Sequence, residues 1–173
     1  MKIGLVDYGA GNLQSVRNAL VALGRESVVV SGPDGLGDDL DALIFPGVGA
    51  FGDSMRNLRD QGLVEPLRGW IRDGRPFFGI CIGYQILFSE SEEFGHHKGL
   101  DVIKGRVVRF PEAVASRNGG GMMARLKVPH MGWNRIRIER QAPIFTGIPD
   151  GGFFYFVHSY YVVPDDEGII AAT

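Results

Sequence analysis

Residues 75–88 read RPFFGICIGYQILF, and the way this stretch is parsed decides the architecture. PFFGI is a short apolar run and reads as a strand; the residues after Cys81 read as a helix. Cys81 is the one cysteine of the 173 residues, and Gly79 and Gly83 stand two residues away on either side. A nucleophile on a sharp strand-to-helix turn is exposed at the top of a sheet in a strained backbone conformation. Side chains two residues before and after it would collide, so glycine fits both places. The start of a helix also offers partial positive charge and free N–H groups, which predicts a thiol pKa lowered toward the thiolate. The Ile82 N–H is then placed where an oxyanion would form during attack on a carbonyl. The competing reading is plain: a lone cysteine beside an apolar strand also serves as a small core residue.

The same alternation extends toward the N-terminus. KIGLVD (2–7) reads as a first strand and YGAGN (8–12) as a turn. LQSVRNALVALG has helical spacing, with Leu13, Val16, Leu20 and Leu23 on one side and Gly24 as its stop. ESVVV is a second strand and ALIFPG (42–47) a third, ending in a glycine-rich turn; residues 52–73 read as helix broken around Gly62. Strands alternating with helices predict βαβ crossovers and a parallel sheet whose ligand crevice lies at the carboxyl ends of the strands. YGAGN, PGVGAFGD and GICIG all fall at that end. After about residue 100 the pattern changes. GRVVRF, WNRIRI and FFYFVHSYYVV are strand-like with little helix between them, which predicts an antiparallel layer added to the sheet. RIRIER (135–140) alternates with Ile136 and Ile138 inward, and RNGGGMM (117–123) reads as a mobile loop.

Composition narrows the function classes. A chain of 173 residues, 45% hydrophobic, suits one domain with a real core. A net charge of −2 gives no electrostatic footprint for nucleic acid. No apolar run approaches the ~20 residues of a membrane-spanning helix. MKIGLVDYG meets Asp7 too early for a secretory signal, and a single cysteine forms no internal disulfide, so a soluble cytoplasmic protein is expected. GAGNLQ imitates a dinucleotide fingerprint, but Gln14 stands where the third glycine belongs. The spacing of His96, His97, His130 and His158 points to no metal site, and no cofactor is expected.

FPGVGAFGDSM (45–55), GICIGYQILFSESEEFG (79–95), VPHMGWN (128–134) and FVHSYYV (156–162) resemble, in that order and with these spacings, the class I (triad) glutamine amidotransferases. VDYGAGNLQSV (6–16) and PHMGWN narrow the resemblance to the glutaminase subunits of imidazole glycerol phosphate synthases, which supply ammonia in histidine biosynthesis. The resemblance implies a flavodoxin-like α/β fold of three layers: a mostly parallel central sheet flanked by helices, with an added antiparallel layer. It implies that Cys81 attacks the carboxamide of L-glutamine, giving a glutamyl thioester and ammonia, and that water then releases glutamate. Val48, Gly49 and Ile82 would form the oxyanion hole; Gly49, Gln85, Glu93, Ser159 and Tyr160 would hold the substrate. Tyr8, Gly9 and Asn12, with Met131 and Trp133, fall where the family meets its partner, a (β/α)₈ cyclase subunit.

One departure stands out. The family's histidine base and the glutamate that orients it come from a His–Pro–Glu segment that occurs nowhere in these residues. The expectation is one amidotransferase domain, 1–173, lacking its C-terminal strands and that segment, and poorly active alone. A non-catalytic binding partner of the cyclase, or another triad amidotransferase, stays open as the alternative.

Overall fold

The computed structural model describes residues 1–115 and 123–173. The loop expected over 117–123 lies outside the described residues apart from Met123. The first half is a parallel sheet with helices on both faces. In chain order it runs β1 (Ile3–Val6), α1 (Leu13–Ala22), β2 (Ser27–Val30), β3 (Ala42–Gly47), α2 (Phe51–Asp60), α3 (Val64–Arg72) and β4 (Phe77–Cys81). The strand order is β2-β1-β3-β4, and every pairing is parallel.

Two-residue periodicity assigns the faces. Ile3, Leu5 and Ile44 meet Leu13, Val16 and Leu20 of α1. Val6, Leu43 and Phe45 meet Met55, Leu58, Leu67 and Trp70 of α2 and α3. Each fully buried large apolar side chain here stabilises the fold by about 1.5–3 kcal/mol. Leu23, expected on the buried face of α1, is instead 74% exposed because the helix has ended before it. The break expected at Gly62 is present, with φ +69 between α2 and α3. Trp70 ties the end of α3 to the next strand: its indole N–H donates to the Pro76 carbonyl at 3.0 Å, and the Arg75 guanidinium lies over its ring.

The helix expected after Cys81 is a single turn, α4 (Ile82–Gln85). Ile86, Leu87 and Phe88 are all buried, and their carbonyls accept from the backbone of residues 100–103. A run that is apolar on every side, with backbone partners waiting, enters a strand rather than extending an amphipathic helix. That strand is β5 (Phe88–Ser91), followed by β6 (His97–Lys98) and β7 (Ile103–Arg109). Then come β8 (Ala113–Ala115), β9 (Met123–Arg125), β10 (His130–Arg135), β11 (Phe153–His158) and β12 (Tyr160–Pro164).

The second layer is mixed. β12 and β7 pair antiparallel, β7 and β5 parallel, β5 and β6 antiparallel. FFYFVHSYYVV is two strands, not one: a bend at Ser159 sends β11 to pair with β10 and β12 to pair with β7. RIRIER is strand only at its start. Ile136 is buried, but Ile138 is half-buried and joins only an isolated bridge to Ala172.

Candidate active site

The carboxyl ends of β1, β3 and β4 converge, and Cys81 lies there, paired in register with Gly47 of β3. Its φ is +54, one of three non-glycine residues with positive φ among those described. Such a conformation costs about 1–3 kcal/mol and persists only where the surroundings impose it. Here the surroundings are backbone. A Cβ on Gly83 would sit 1.9 Å from the Phe45 carbonyl oxygen, and one on Gly79 2.4 Å from the Gly83 oxygen. The two glycines let β4, α4 and β3 close on one another, and the turn holds the cysteine outward.

Cys81 is open to solvent at the mouth of a cavity of about 610 Å³, whose walls include Tyr84, Gln85, His158, Tyr160 and Val162. The walls nonetheless desolvate the thiol. Burial pushes its pKa up, the Ile82 N–H on the sulfur pulls it down, and the Glu93 carboxylate pushes it up again. The net direction is upward, which corrects the expectation of a lowered thiol. A helix of one turn carries too few aligned peptides to offset burial.

The other expected site residues divide into four groups. Gln85 and Tyr160 share the cavity with Cys81. Gln85 is 6% exposed, its Nε2 donates to the Tyr160 carbonyl at 3.4 Å, and its Oε1 is buried without a partner. Glu93 stands near enough to act on the thiol, and its carboxylate accepts the Phe51 N–H at 2.7 Å at the start of α2. Val48 and Gly49 form the turn after β3, with Gly49 at φ +101 and open space where a Cβ would stand. Ser159 is not in the cavity wall; its carbonyl accepts the Phe110 N–H at 3.0 Å.

Of the residues expected to face a partner, Gly9, Asn12, Met131 and Trp133 are exposed, Trp133 at 67%. Asn12 also caps α1 by accepting from the Ser15 N–H at 3.1 Å. Tyr8 is a correction. It is 0% exposed, stacked on Phe45 with ring centroids 4.9 Å apart, and its hydroxyl lies against the Val48 backbone and Ser54 beneath the turn. Strand β1 is buried on both faces and carries Tyr8 into the core as it ends.

The four histidines are otherwise engaged or distant. His96 pairs with Glu90 at 2.8 Å, and no imidazole is among the groups that shift the Cys81 thiol. Among the described residues no three His, Cys, Asp or Glu side chains are grouped to hold a metal ion, and no helix is long and apolar enough to cross a membrane. Sequence reasoning missed the pairing of His130 with His158. The pairing depends on the β10–β11 register, for which the sequence carried no signal.

The family described as "Glutamine amidotransferase class-I" matches residues 4–173. Imidazole glycerol phosphate synthase subunit HisH of Geobacter sulfurreducens is 52% identical over 99% of this chain and 79% of its own length. The Aquifex aeolicus protein of the same name is 45% identical over 98% of this chain and 76% of its own. Among solved structures, one described as glutamine amidotransferase superposes with a TM-score of 0.67 at 24% identity, over 98% of this chain and 78% of that one. The PurLQS structure from Thermotoga maritima gives 0.66 at 19% identity, over 99% and 73%. At these identities the structural matches carry the fold alone.

Proposed function

The chain belongs to the class I glutamine amidotransferases, among the HisH subunits of imidazole glycerol phosphate synthase, and from that premise we propose how its residues perform the glutaminase reaction. The Cys81 sulfur attacks the carboxamide carbon of glutamine. The S–C bond forms, the C–N bond breaks, and the thiol proton leaves with the nitrogen as ammonia. Water then adds to the thioester carbon, releasing glutamate and regenerating the thiol.

In this reading the Ile82 N–H, already directed at the sulfur, and the Val48–Gly49 turn receive the negative charge that builds on the carbonyl oxygen. Gln85 Oε1, a buried acceptor without a partner, takes an N–H of the substrate, and the Glu93 carboxylate faces its ammonium. Tyr160, in the cavity wall, holds the remainder of the amino-acid end. In this reading none of the four histidines is the proton acceptor, so low activity is expected of these residues on their own. A positioned base contributes on the order of 10²–10⁴ in rate.

The partner in this proposal is a (β/α)₈ cyclase that consumes the ammonia in the cytoplasm. Gly9, Asn12, Met131 and Trp133 meet it, and residues 1–173 act as one amidotransferase domain. The single observation that carries the reading is Cys81 at positive φ, at a cavity mouth, with an amide N–H on its sulfur. Glutamate release by the protein assembled with the cyclase tests it: hydrolysis that is lost in Cys81→Ala supports the assignment, and hydrolysis that survives rejects it.

A further inference from the structure

We infer that His130 and His158 are positioning residues for the glutamine pocket, acting through the Tyr160 carbonyl that they share with Gln85. The inference rests on the amidotransferase reading above but concerns residues that reading leaves unused.

The two imidazoles are cross-strand partners at the end of the β10–β11 ribbon. Four polar contacts join them in a line. His158 Nδ1 lies 2.9 Å from the Tyr160 carbonyl oxygen, His158 Nε2 lies 3.0 Å from His130 Nδ1, and His130 Nε2 contacts Asn134 Nδ2. At the far end the same Tyr160 oxygen accepts from Gln85 Nε2.

Hydrogen-bond chemistry fixes the direction of this line. A carbonyl only accepts, so His158 Nδ1 carries a proton. In a neutral His158, Nε2 is then bare and accepts from His130 Nδ1. His130 Nε2 is bare in turn and accepts from the Asn134 amide. With both rings neutral, both hold their proton on Nδ1. Burial pushes the His130 imidazole down, in keeping with a neutral His130. Aromatic rings fix the orientation. Phe156 stacks on His130 at 5.0 Å, Phe110 meets His158 edge-on at 5.0 Å, and Tyr161 stacks on the other side of that contact, 4.8 Å from Phe110.

The consequence reaches the cavity through Gln85. Its amide has two ends of opposite character, and only the Nε2 end is satisfied. With Nε2 held by the Tyr160 carbonyl, Oε1 is left as a buried acceptor suited to an N–H of the substrate. The His158 N–H fixes the peptide that makes this choice. The line ends at Asn134, an exposed residue on the strand that carries Met131 and Trp133.

The test uses Cys81→Ala protein assembled with the cyclase, so that glutamine binds without turnover, and reads glutamine Kd by calorimetry. His158→Phe keeps the ring but removes both nitrogens; His158→Asn keeps an N–H donor where Nδ1 stands. The expected result is about a tenfold rise in Kd for His158→Phe, a 1.4 kcal/mol loss by the RT ln 10 relation, and recovery of most of that loss in His158→Asn. An unchanged Kd in His158→Phe, or equal loss in both variants, overturns the inference while leaving the amidotransferase reading intact. No glutamine binding in the Cys81→Ala parent overturns that reading and the inference with it. Imidazole ¹⁵N spectra of the unmodified protein test the relay without any variant. Nδ1–H tautomers on both rings support it, and an Nε2–H tautomer on His158 overturns it.

Discussion

The central strands β1 and β3 of the parallel sheet and the β10–β11 ribbon are built from similarly apolar sequence, yet they treat it in opposite ways. In β1 every residue is buried, and Phe45 at the centre of β3 is sealed between layers. On the ribbon, Met131, Trp133, Phe153, Tyr155 and Val157 are all more than half exposed. Register places Trp133 opposite Tyr155 and Met131 opposite Val157, so four of these side chains form one continuous apolar face. A contiguous face of this kind marks an interaction surface, whereas scattered exposed apolar residues do not. The central strands spend their apolar side chains on stability and on holding Cys81; the ribbon lines the cavity beside Cys81 with Tyr155 and Val157 and leaves Met131 and Trp133 open.

The largest effect expected from this division is chemical and confined to the sheet. Cys81→Ala lowers glutamine turnover by at least about 10³-fold, since loss of a nucleophile removes the covalent route. Steady-state assay of the assembled enzyme checks this, and substantial residual turnover would break the division at once. Next comes a matched pair of glycine substitutions, compared by denaturant unfolding. Gly83→Ala drives a Cβ into the Phe45 carbonyl and is expected to destabilise by more than about 3 kcal/mol. Gly132→Ala meets open space and bears only the strain of φ +146, on the order of 1–3 kcal/mol. Equal losses would mean that the two regions are packed alike.

Trp133→Ala sharpens the contrast from the ribbon side. It is expected to change folding stability by less than about 1 kcal/mol and to weaken cyclase binding by about 2 kcal/mol or more. Thermal melts and titration with the cyclase separate the two effects, and a large stability loss with unchanged binding would reassign Trp133 to the core. The smallest effect concerns the thiol's titration. Burial raises the Cys81 pKa, so its thiolate, and with it the alkylation rate, comes in at higher pH than for a free thiol. Glu93→Gln removes a negative charge that adds to this rise, so the midpoint of the rate-against-pH curve moves down. An upward move would contradict the placement of Glu93.

The same contrast explains what was legible in the sequence. In the sheet half, local signals agreed with tertiary demands: ALIFPG is β3 to the residue, and Gly62 breaks the helix where expected. Gly79 and Gly83 announced the close approach of backbone around Cys81. The one-turn helix was not legible, because IGYQILF suits a helix or a strand equally and the deciding partners are carbonyl acceptors reached from residues 100–103. Tyr8 was misread for a related reason, since a tyrosine beside a glycine turn carries no mark of whether the turn folds over it. On the ribbon, FFYFVH has no polar alternation to distinguish its faces. Gln85 stands one helical turn beyond Cys81, but Glu93 and Tyr160 were nameable only through the family resemblance, and the His130–His158 pair depends on a strand register that periodicity does not supply.

The central claim is that the Cys81 sulfur is the group that meets glutamine. Incubation with a glutamine-analogue diazo-ketone, followed by intact mass and peptide mapping, tests it most directly. The account predicts one adduct, on Cys81, whose formation slows as glutamine is added. An unlabelled Cys81, or labelling that glutamine leaves unchanged, would contradict it.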